Sequence, residues 1–382
     1  MPEAVIVDAI RTPIGRAAKG SLKDVRADDL AAVPLKALVE RNPGVDFSET
    51  VDVMMGCGFG LGEAGYNVGR NAALLAGLDH HIPATTVNRF CASSLQTIRT
   101  AFHAIAAGEG DQYIAAGVEA VSRFPAYPPF DPHPSLSGGD GAPYNVYIPM
   151  GLTAENVAER CHVTREQQDE WAVASQNRAV DAVQSGHFDR EIVPVTLDDG
   201  TQISRDDGPR PGTTMEVLGN LKPAFRPDGT VTAGNSCPLN DGAAAVLIMS
   251  DERAKELGLK PRARIITAAT YGNEPELMGV APIGAVKKVL DRAGMSIGDI
   301  DQVELNEAFA AQVIPIMDET GIELDKLNTH GGAIALGHPF GMTGARIMGT
   351  LLNGMETDDA QVGLETMCVA GGQGKAMIVE RV

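Results

Sequence analysis

The most restrictive feature of the 382-residue sequence is an internal repeat. The later part of the chain shows the same order of strand-like and helix-like segments as the earlier part, at an offset of about 250 residues. A loose similarity of this kind occurs in any chain that alternates strands with helices, but a shared order of elements favours a duplication. The matched segments are 5–10 with 264–269, 28–41 with 283–293, 51–55 with 300–305, 91–105 with 343–352, and 113–117 with 361–367.

Strands alternate with helices in both parts, which predicts an α/β protein made of two similar halves. Each half is expected to contain a mixed, mostly parallel sheet layered with helices, and to bind ligands beyond the carboxyl ends of its strands. The predicted division is an amino-terminal half at 1–119 that 247–260 completes, an inserted loop domain at 120–246, and a carboxyl-terminal half at 261–382.

The predicted insertion interrupts the repeat. Residues 123–149 are rich in Pro, Gly and Tyr and have no clear period, whereas 155–161 and 165–184 have the apolar spacing of amphipathic helices. Residues 198–213 are polar and typical of turns. Long insertions in compact enzymes are often lids or ligand-binding regions, so this one is expected to fold over a bound molecule.

Composition argues against several classes of function. A net charge of −19 disfavours broad binding of nucleic acid and attachment to anionic membranes, so an anionic substrate needs a local basic patch. The sequence has no leader of charged and then apolar residues and no apolar run that could span a bilayer. Its 5 widely spaced cysteines, without a C-x-x-C pair, argue against a disulfide framework or a zinc site and favour a reducing compartment, the cytoplasm.

The segment from Thr86 to Leu95 is typical of a short strand, a sharp turn and the start of a helix, with Cys91 where the helix begins. Unpaired N–H groups and the positive end of the helix dipole favour an anion at such a place. We therefore expect the Cys91 thiol to lose its proton readily and to act as a nucleophile. The alternative is that Cys91 is a small buried hydrophobic residue at a strand–helix junction.

Segments of the second half carry polar side chains at strand ends, and the duplication brings equivalent strand ends together. His338, in a Gly-His-Pro turn, can take the thiol proton from Cys91. Cys368, which is followed by small residues, can be a second acid or base, and Asn306 can orient a water molecule or donate to an oxyanion. Taken singly, each of these residues also has a structural explanation as a turn residue or a packing thiol.

The sequence resembles the thiolase family from its first strand to its last residues. The motifs that carry the resemblance are V-N-x-x-C at 87–91, M-G-L-T-A-E-N at 150–156, the signature from Asn235 to Ala245, N-E-A-F at 306–309, G-G-A-x-A-x-G-H-P-x-G at 331–341, and an ending at 368–374 that resembles C-x-G-G-x-G. The resemblance implies a duplicated thiolase-like fold whose inserted loop domain binds coenzyme A (CoA).

The resemblance also implies a mechanism. Cys91 attacks the keto carbon of a 3-ketoacyl-CoA and keeps the acyl group as a thioester, and His338 activates Cys91. His338 and a water molecule held by Asn306 stabilise one oxyanion, and the backbone N–H groups of Cys91 and Ala370 form a second oxyanion hole. Cys368 protonates the departing acetyl-CoA carbanion and then takes the proton of the incoming CoA thiol. In reverse, Cys368 deprotonates acetyl-CoA for a Claisen condensation.

The family further implies a CoA site in the insertion. Arg210 stands where the family has an arginine near the adenine, and the residues expected along the channel for pantetheine and substrate are Met150, Phe225, Ser236, Cys237 and Ala308. CoA is expected as a co-substrate, with no permanently bound cofactor and no metal. Acyl-CoA and CoA are the expected partners, and because thiolases are generally dimers or tetramers, a homodimer or homotetramer is expected.

Departures from the family pattern favour a degradative thiolase with a different acyl pocket. Ala370 and the pair Ser93-Ser94 replace glycines, Cys237 replaces a serine, and Pro149 replaces a histidine. Ala370 is strained if its position requires a positive φ. The competing hypothesis within the family is a short-chain acetyltransferase that forms acetoacetyl-CoA.

Proteins of three different functional classes share parts of this pattern. A ketoacyl synthase shares the duplicated fold, but Cys368 and the N-E-A-F motif argue against it. A thiolase-like acyl-CoA-binding protein without catalysis usually lacks a catalytic residue, and none is missing here. A cysteine hydrolase would release the acyl group to water without CoA.

Overall fold

The computed structural model describes residues 2–124, 131–139 and 141–382. The described strands are β1 (Ala4–Arg11), β2 (Gly15–Arg16), β3 (Asp52–Gly56), β4 (Ala84–Val87), β5 (Gln112–Ala120), β6 (Val195–Thr196), β7 (Gln202–Ile203), β8 (Asn240–Ser250), β9 (Ala263–Gly272), β10 (Gln302–Leu305), β11 (Val362–Val369) and β12 (Gln373–Arg381). The described helices are α1 (Ala27–Arg41), α2 (Val68–Leu75), α3 (Ser93–Ala107), α4 (Met150–Arg160), α5 (Arg165–Gln184), α6 (Met215–Gly219), α7 (Asp251–Glu256), α8 (Ala281–Ala293), α9 (Ala310–Thr320), α10 (Ala333–Leu336) and α11 (Thr343–Thr357). Within these ranges, no helix combines the length and the apolar character needed to cross a bilayer.

The main sheet is mixed, as predicted, and its strand order is β10-β11-β12-β9-β1-β8-β5-β3-β4, with β2 beside β8. β3 runs parallel to β4 and β5, and β10 runs parallel to β11. The ladders that β8, β9 and β12 make with their neighbours are antiparallel. β1 and β9 pair only through Val5 with Arg264 and Ile6 with Ala263, so the sheet divides into two units at this seam.

The structure confirms the predicted duplication. β1, α1, β3, α2, α3, β5 and β8 have counterparts, in the same order, in β9, α8, β10, α9, α11, β11 and β12. β4 forms one edge of the sheet, and its counterpart in the second half is the segment at Leu327, which makes a single parallel bridge with Val303 of β10 as β4 lies parallel to β3. The other edge, β10, is covered because Val303 N donates to Lys326 O at 2.8 Å and Asn328 N donates to Val303 O at 2.9 Å.

The two halves of the sheet enclose a middle layer formed by α3 and α11. One hydrophobic cluster joins these helices to the facing sides of both halves, and includes Leu95, Met348, Val246 and Met377. On the outer faces, α1 and α2 cover the first half and α8 and α9 cover the second. The result is five alternating layers of helix and sheet, with two helices fully inside the molecule.

The observed elements agree with most predicted segments, and the helix predicted at 165–184 coincides with α5. Its first turn is fixed by a capping box between Thr164 and Gln167. Asp28, near the start of α1, does not cap the helix. Arg26 occupies the cap position, and the Asp28 carboxylate instead lies in the first turn, 2.7 Å from the Arg26 guanidinium.

The insertion runs from the end of β5 at Ala120 to the start of β8 at Asn240. The predicted boundary between residues 246 and 247 falls inside β8, whose fully buried residues 243–246 pair with β5 and therefore belong to the first half. Residues 125–130 and 140, in the stretch predicted to be irregular, lie outside the described residues.

A buried ion-pair network fastens the insertion to the first half. The Arg11 guanidinium lies 2.6 Å from the Glu191 carboxylate and 2.7 Å from the Asp206 carboxylate. Glu191 also accepts a hydrogen bond from Asn353 of α11 at 2.8 Å. Removing one member would leave an uncompensated buried charge, so these contacts hold the insertion against both β1 and the middle layer.

α3 and α11 touch where both helices begin. Ser94 Oγ accepts a hydrogen bond from Ala345 N at 2.9 Å. A Cβ atom at Gly344 would lie only 2.3 Å from Leu95 N, so glycine is required there. Because Cys91 and His338 lie just before these two helices, the contact sets how the candidate nucleophile and base approach each other.

We predict that Gly344→Ala lowers the free energy of unfolding by about 2 kcal/mol, because the new methyl group meets backbone and not a flexible side chain. Denaturant unfolding followed by circular dichroism measures the change. Gly349→Ala on the same helix is the matched control, since its Cβ would find no atom closer than 3.6 Å. That control is expected to leave stability unchanged or to raise it by up to about 1 kcal/mol. Equal losses in the two variants would contradict the close contact.

Candidate active site

Cys91 lies in a short 3-10 turn, Phe90–Ala92, that leads into α3. Phe90 has a φ of 42°, which is uncommon for a residue other than glycine. Its N–H donates to Asn88 Oδ1 at 2.8 Å, and Ser93 Oγ donates to Phe90 O at 2.6 Å. These polar side chains hold the bent backbone and thereby fix the direction of Cys91.

The Cys91 side chain is 7% exposed. Burial and the nearby thiols of Cys368 and Cys237 raise its pKa well above the ordinary value, whereas hydrogen bonds from the N–H groups of Ala370 and of Cys91 itself act in the opposite direction. The expectation that the helix start makes this thiol readily ionised is therefore wrong, because desolvation outweighs the backbone dipoles. The resting group is a thiol that needs a base.

The Ala370 N–H is one of the two backbone donors that the structure brings to the Cys91 sulfur. Ala370 lies in the turn between β11 and β12, before Gly371 and Gly372, which have φ values of 77° and 75°. Ala370 itself is outside the left-handed region, so the alanine causes no strain there. The backbone donor predicted at this position is retained.

His338 follows α10 and Gly337, whose φ is 114°. A Cβ atom at Gly337 would lie 2.7 Å from the Asn240 side chain, so glycine is needed at the approach to the histidine. Asn240 Oδ1 accepts a hydrogen bond from His338 N at 2.9 Å. The first residue of β8 thus fixes the backbone of the histidine.

Glu307, the acidic residue of the N-E-A-F motif, fixes the start of the same loop. Its buried carboxylate accepts hydrogen bonds from Ile334 N at 3.1 Å, Ser175 Oγ at 2.6 Å and Asn328 Nδ2 at 2.8 Å. A Cβ atom at Gly332 would lie 2.1 Å from the carboxyl carbon, so the loop passes directly over this side chain. Glu307 therefore couples the segment that carries Asn306 to the segment that carries His338.

Hydrogen bonds fix the tautomer of His338. Its Nδ1 lies 2.6 Å from Thr343 Oγ1, and that hydroxyl donates its single proton to Pro339 O at 2.7 Å. Nδ1 must therefore carry the imidazole proton and donate it to the Thr343 oxygen. The lone pair is on Nε2, which lies 3.3 Å from Asn306 Nδ2.

Burial and the positive charge of Arg346 lower the pKa of His338 to about 3. The imidazole is therefore neutral at and around neutral pH. A neutral ring with a fixed lone pair at Nε2 can accept a proton without first losing one.

Cys368 is the second-last residue of β11 and is fully buried. Its Sγ donates to Gln312 Oε1 at 3.3 Å. Burial raises the pKa of Cys368 to about 11. Cys368 thus keeps its proton at neutral pH, as an acid that donates to a carbanion must.

Asn306 follows β10 directly and is fully buried. Its Nδ2 faces His338, and its Oδ1 accepts no hydrogen bond from any of the described residues. A buried amide oxygen requires a donor, and a water molecule or a substrate hydroxyl group can supply one. The residue can therefore orient a small polar group beside the histidine.

A cavity of about 550 Å³ opens between the insertion and the first half. Arg210, Phe225, Ser236 and Cys237 line it, four of the six residues predicted to bind CoA or substrate. Cys237 links the cavity to the candidate catalytic residues, because its thiol is close enough to those of Cys91 and Cys368 to interact with them electrostatically.

The remaining two predicted residues, Met150 and Ala308, are not part of the cavity wall. They pack in one hydrophobic cluster with Cys368, and Met150 and Cys237 lie at its margin. Ala308 O accepts a hydrogen bond from Cys237 N at 3.0 Å. These residues therefore support the inner end of the cavity from behind.

Two further cations at the cavity, Arg16 and Lys19, come from the first half and are not among the residues predicted from the sequence. Burial and the charge of Arg16 lower the pKa of Arg210, and no described carboxylate offsets this effect. The sequence motifs indicate a basic residue in the insertion alone. The structure instead builds the patch from the insertion, from β2 and from the turn after β2.

No metal is predicted from the sequence. Among the described residues, one group of side chains has the spacing of metal ligands. It consists of Asp79, His80 and His81, whose ligand atoms all lie within 4.8 Å of one another. All three side chains are exposed, in the loop between α2 and β4, and none of them lines the cavity.

Known proteins resemble this chain over its full length. Residues 4–252 match the family model described as Thiolase, N-terminal domain, and residues 259–381 match that described as Thiolase, C-terminal domain. A 3-ketoacyl-CoA thiolase of Klebsiella pneumoniae subsp. pneumoniae is 48% identical over 390 residues, and one of Salmonella typhimurium is 47% identical over 390 residues, with 100% of both chains covered in each case. The crystal structure of the Bacillus anthracis acetyl-CoA acetyltransferase matches with a TM-score of 0.92 and 38% identity, covering 100% of this chain and 99% of that one. The chain therefore belongs to the thiolase family.

Proposed function

We propose that this thiolase cleaves 3-ketoacyl-CoA with CoA to give acetyl-CoA and a shortened acyl-CoA. In the opposite direction, the same site is proposed to catalyse the Claisen condensation of acyl-CoA with acetyl-CoA. The observation that carries the proposal is that two buried thiols, Cys91 and Cys368, are close enough for one to influence the pKa of the other, in a site that also holds a neutral histidine, His338, with its lone pair at Nε2. A hydrolase requires one nucleophile and one base, whereas exchange between two thiols and a carbanion requires a second acid and base.

In the first half-reaction the Cys91 sulfur bonds to the keto carbon while His338 Nε2 takes the thiol proton. The base is necessary because burial raises the pKa of Cys91 well above its ordinary value. The bond between the keto carbon and the α-carbon then breaks, and the acetyl-CoA carbanion takes its proton from Cys368. A water molecule held by Asn306, together with protonated His338, stabilises one developing oxyanion.

In the second half-reaction the Cys368 thiolate takes the proton of the incoming CoA thiol. The CoA sulfur attacks the carbonyl carbon of the acyl thioester. The carbonyl oxygen, as it becomes an oxyanion, accepts hydrogen bonds from the N–H groups of Cys91 and Ala370. Cys91 leaves and recovers its proton from His338, so both thiols return to their resting state. Donors that already point at the Cys91 sulfur need little reorganisation to reach this oxygen.

CoA is proposed to occupy the 550 Å³ cavity. Its phosphates are proposed to lie near Arg16 and Lys19, and its adenine near Arg210. A local cluster of cations suits an anionic ligand on a protein whose net charge is −19. Phe225, Ser236 and Cys237 would line the path of the pantetheine arm, supported by Met150 and Ala308.

A degradative role with acyl chains beyond acetoacetyl-CoA is the preferred form of the proposal. It is supported by the relatives at 47–48% identity, which are named 3-ketoacyl-CoA thiolases. Cys237 and Pro149 are the departures in the sequence that favour it. The second candidate, a short-chain acetyltransferase, is favoured by the name of the structural match at 38% identity, acetyl-CoA acetyltransferase.

A homodimer is proposed as the smallest assembly, with a homotetramer as its extension. β4 is an edge strand, and the exposed apolar side chains of Leu74, Leu75 and Tyr66 lie in or just before α2, which packs on β4. A second copy can cover both the strand edge and these side chains. We also infer a cytoplasmic location, because a reducing compartment keeps Cys91 and Cys368 as the thiols that the mechanism needs.

The test of the proposed function is CoA-dependent cleavage of a panel of 3-ketoacyl-CoAs, from acetoacetyl-CoA to long and bulky acyl groups, followed by loss of the enolate absorbance. We expect cleavage to be fastest with the longer members. Cleavage of acetoacetyl-CoA alone would favour the short-chain acetyltransferase, and binding of CoA without any cleavage would favour a non-catalytic relative. Release of free acid without CoA would indicate a hydrolase.

Substitution of the two thiols separates their roles in the same assay. Cys91→Ala is expected to abolish formation of the acyl-enzyme, detected as a mass increase of the intact protein. Cys368→Ala is expected to accept an acyl group at Cys91 from a reactive thioester, but to lose at least about 100-fold in turnover because the carbanion has no acid. Normal turnover of Cys368→Ala would contradict the assignment of the second acid and base.

We predict that Thr343→Val lowers the turnover number by about 10- to 100-fold with little change in KM, because the imidazole loses the acceptor that keeps its proton on Nδ1. Thr343→Ser is the matched control, since it retains the hydroxyl that accepts from His338 and donates to Pro339. Steady-state kinetics of both variants measure the effect. Equal activity of the valine and serine variants would show that the hydroxyl does not fix the tautomer.

We predict that Arg16→Ala and Lys19→Ala each raise the KM for CoA by about tenfold, equivalent to about 1.4 kcal/mol of binding. Neither change should affect the KM for a pantetheine-type thiol that lacks the phosphates. Lys23→Ala is the control, because Lys23 is exposed, lies outside the cavity wall and pairs with Asp24. If the KM rose equally for CoA and for the thiol without phosphates, the two cations would not be contacting the phosphates.

A further inference from the structure

The Glu119 carboxylate lies at the junction between the two halves of the molecule. Glu119 is the second-last residue of β5 and is 1% exposed. Its Oε2 accepts hydrogen bonds from Gly58 N and Gly341 N, both at 2.8 Å, and its Oε1 accepts one from Phe59 N at 3.1 Å. Gly58 and Phe59 follow β3 in the first half, whereas Gly341 belongs to the second half. One side chain thus binds backbone from both halves.

One of these contacts leads to the candidate base, because Gly341 lies in the loop that follows His338. This loop is pressed onto the ends of β3 and β5, since a Cβ atom at Gly341 would lie 2.3 Å from Val118 O and 2.6 Å from Gly56 O. A buried N–H group left without an acceptor costs about 1–3 kcal/mol. Glu119 supplies that acceptor and so makes the close approach of the loop possible.

The contacts with the first half lead to the nucleophile. Gly58 O accepts a hydrogen bond from Asn88 Nδ2 at 2.8 Å, and Asn88 Oδ1 accepts one from Phe90 N, the residue before the nucleophile. The Phe59 ring lies 5.7 Å from the Phe90 ring and 5.6 Å from the Phe340 ring. The segment that Glu119 binds is therefore in contact with both the nucleophile turn and the histidine loop.

We infer that Glu119 is a positioning residue that, as an anion, holds the Cys91 turn and the His338 loop at their working separation. It does not touch the reacting atoms, and the inference rests on the roles proposed above for Cys91 and His338. An ionised carboxylate has only acceptors and can satisfy all three N–H groups. The NH2 group of an amide cannot accept, so a glutamine must release at least one of them, and a protonated carboxyl group accepts more weakly at its hydroxyl oxygen.

The charge state of Glu119 makes this role sensitive to pH. Burial raises its pKa to about 7, while the hydrogen bonds from Gly341, Gly58 and Phe59 oppose the rise. The titratable groups on the neighbouring elements are Cys57, with its Sγ 3.8 Å from Oε1, His338 on the loop, and Asp241 on β8. As the pH falls through about 7, Glu119 gains a proton and its hydrogen bonds with the two segments weaken. The activity should therefore decrease below about pH 7.

The test is the pH dependence of the acylation half-reaction, the transfer of the acyl group from 3-ketoacyl-CoA to Cys91 in the absence of free CoA. This half-reaction avoids the titration of the incoming CoA thiol. For the unaltered protein we expect the rate to fall as the pH decreases through about 7. For Glu119→Gln we expect a rate about 10- to 100-fold lower at high pH, an unchanged KM, and no fall around pH 7.

Asp52→Asn is the matched control, because Asp52 is a half-buried carboxyl group of raised pKa at the opposite end of β3, away from both catalytic segments. It should retain the full rate and the fall around pH 7. A glutamine variant with the normal rate and pH profile would overturn the inference, as would an unaltered protein whose acylation rate is flat between about pH 6 and pH 8.

Hydrogen exchange gives a readout that does not depend on catalysis. In Glu119→Gln, the amides of Gly58 and Gly341 should both exchange faster than in the unaltered protein at high pH. The same two amides should exchange faster in the unaltered protein below about pH 7, after correction for the pH dependence of intrinsic exchange. If no 3-ketoacyl-CoA is cleaved but both amides respond, the proposed function fails while the structural link stands. If cleavage is normal and neither amide responds, the link fails while the function stands.

Discussion

The active site depends on how closely two helices can approach in the middle of the molecule. At Gly344 the backbone of α11 lies against the backbone of α3, and there is no room for a side chain. Similar demands occur at Gly117 and Gly56, where a Cβ atom would lie 2.0 Å from Gly341 O and 2.4 Å from Ser94 N. Each half contributes one helix and one set of strand ends to this region. The segments that carry the proposed nucleophile and the proposed base are brought to the same region because the two halves meet through glycine.

Buried charged side chains on α11 and on the strands of the second half that face it also influence the site. Glu304 and Glu365 are paired in register on β10 and β11, and Arg346 of α11 is buried near them. Burial raises the pKa of Glu304 to about 8, and burial lowers that of Lys375 on β12 to about 6. Arg346 also helps to lower the pKa of His338. The interior therefore helps to keep the imidazole neutral, a condition that the hydrogen bonds of the ring alone do not ensure.

Much of this arrangement could be predicted from the sequence, and the exceptions have identifiable causes. The duplication is visible as a repeated order of segments, and the residues Cys91, Asn306, His338 and Cys368 are visible because each lies in a short local motif, near a strand end for three of them and after α10 for His338. The start of β8 was misplaced because a strand buried on both faces has no alternation that marks where it begins.

The properties that depend on distant contacts could not be read from the sequence. The helix start beside Cys91 suggests an easily ionised thiol, but burial and two neighbouring thiols reverse the sign of the shift. Thr343 and Gln312 give no local signal, since their roles depend on a ring and a thiol that folding brings to them. Arg16 reaches the cavity only because the insertion folds back over β2.

The unequal edges of the sheet limit how copies of the chain can associate through their strands. Among the described elements, β4 is open, while the segment around Lys326 covers β10. A sheet with two open edges can add copies at both ends without limit, as a growing fibre does, whereas a sheet with one open edge is saturated by a single partner. Because the second half keeps only a single bridge at Leu327 where the first half has the four-residue strand β4, the duplication produced a chain whose sheet offers one full strand for extension by a second copy.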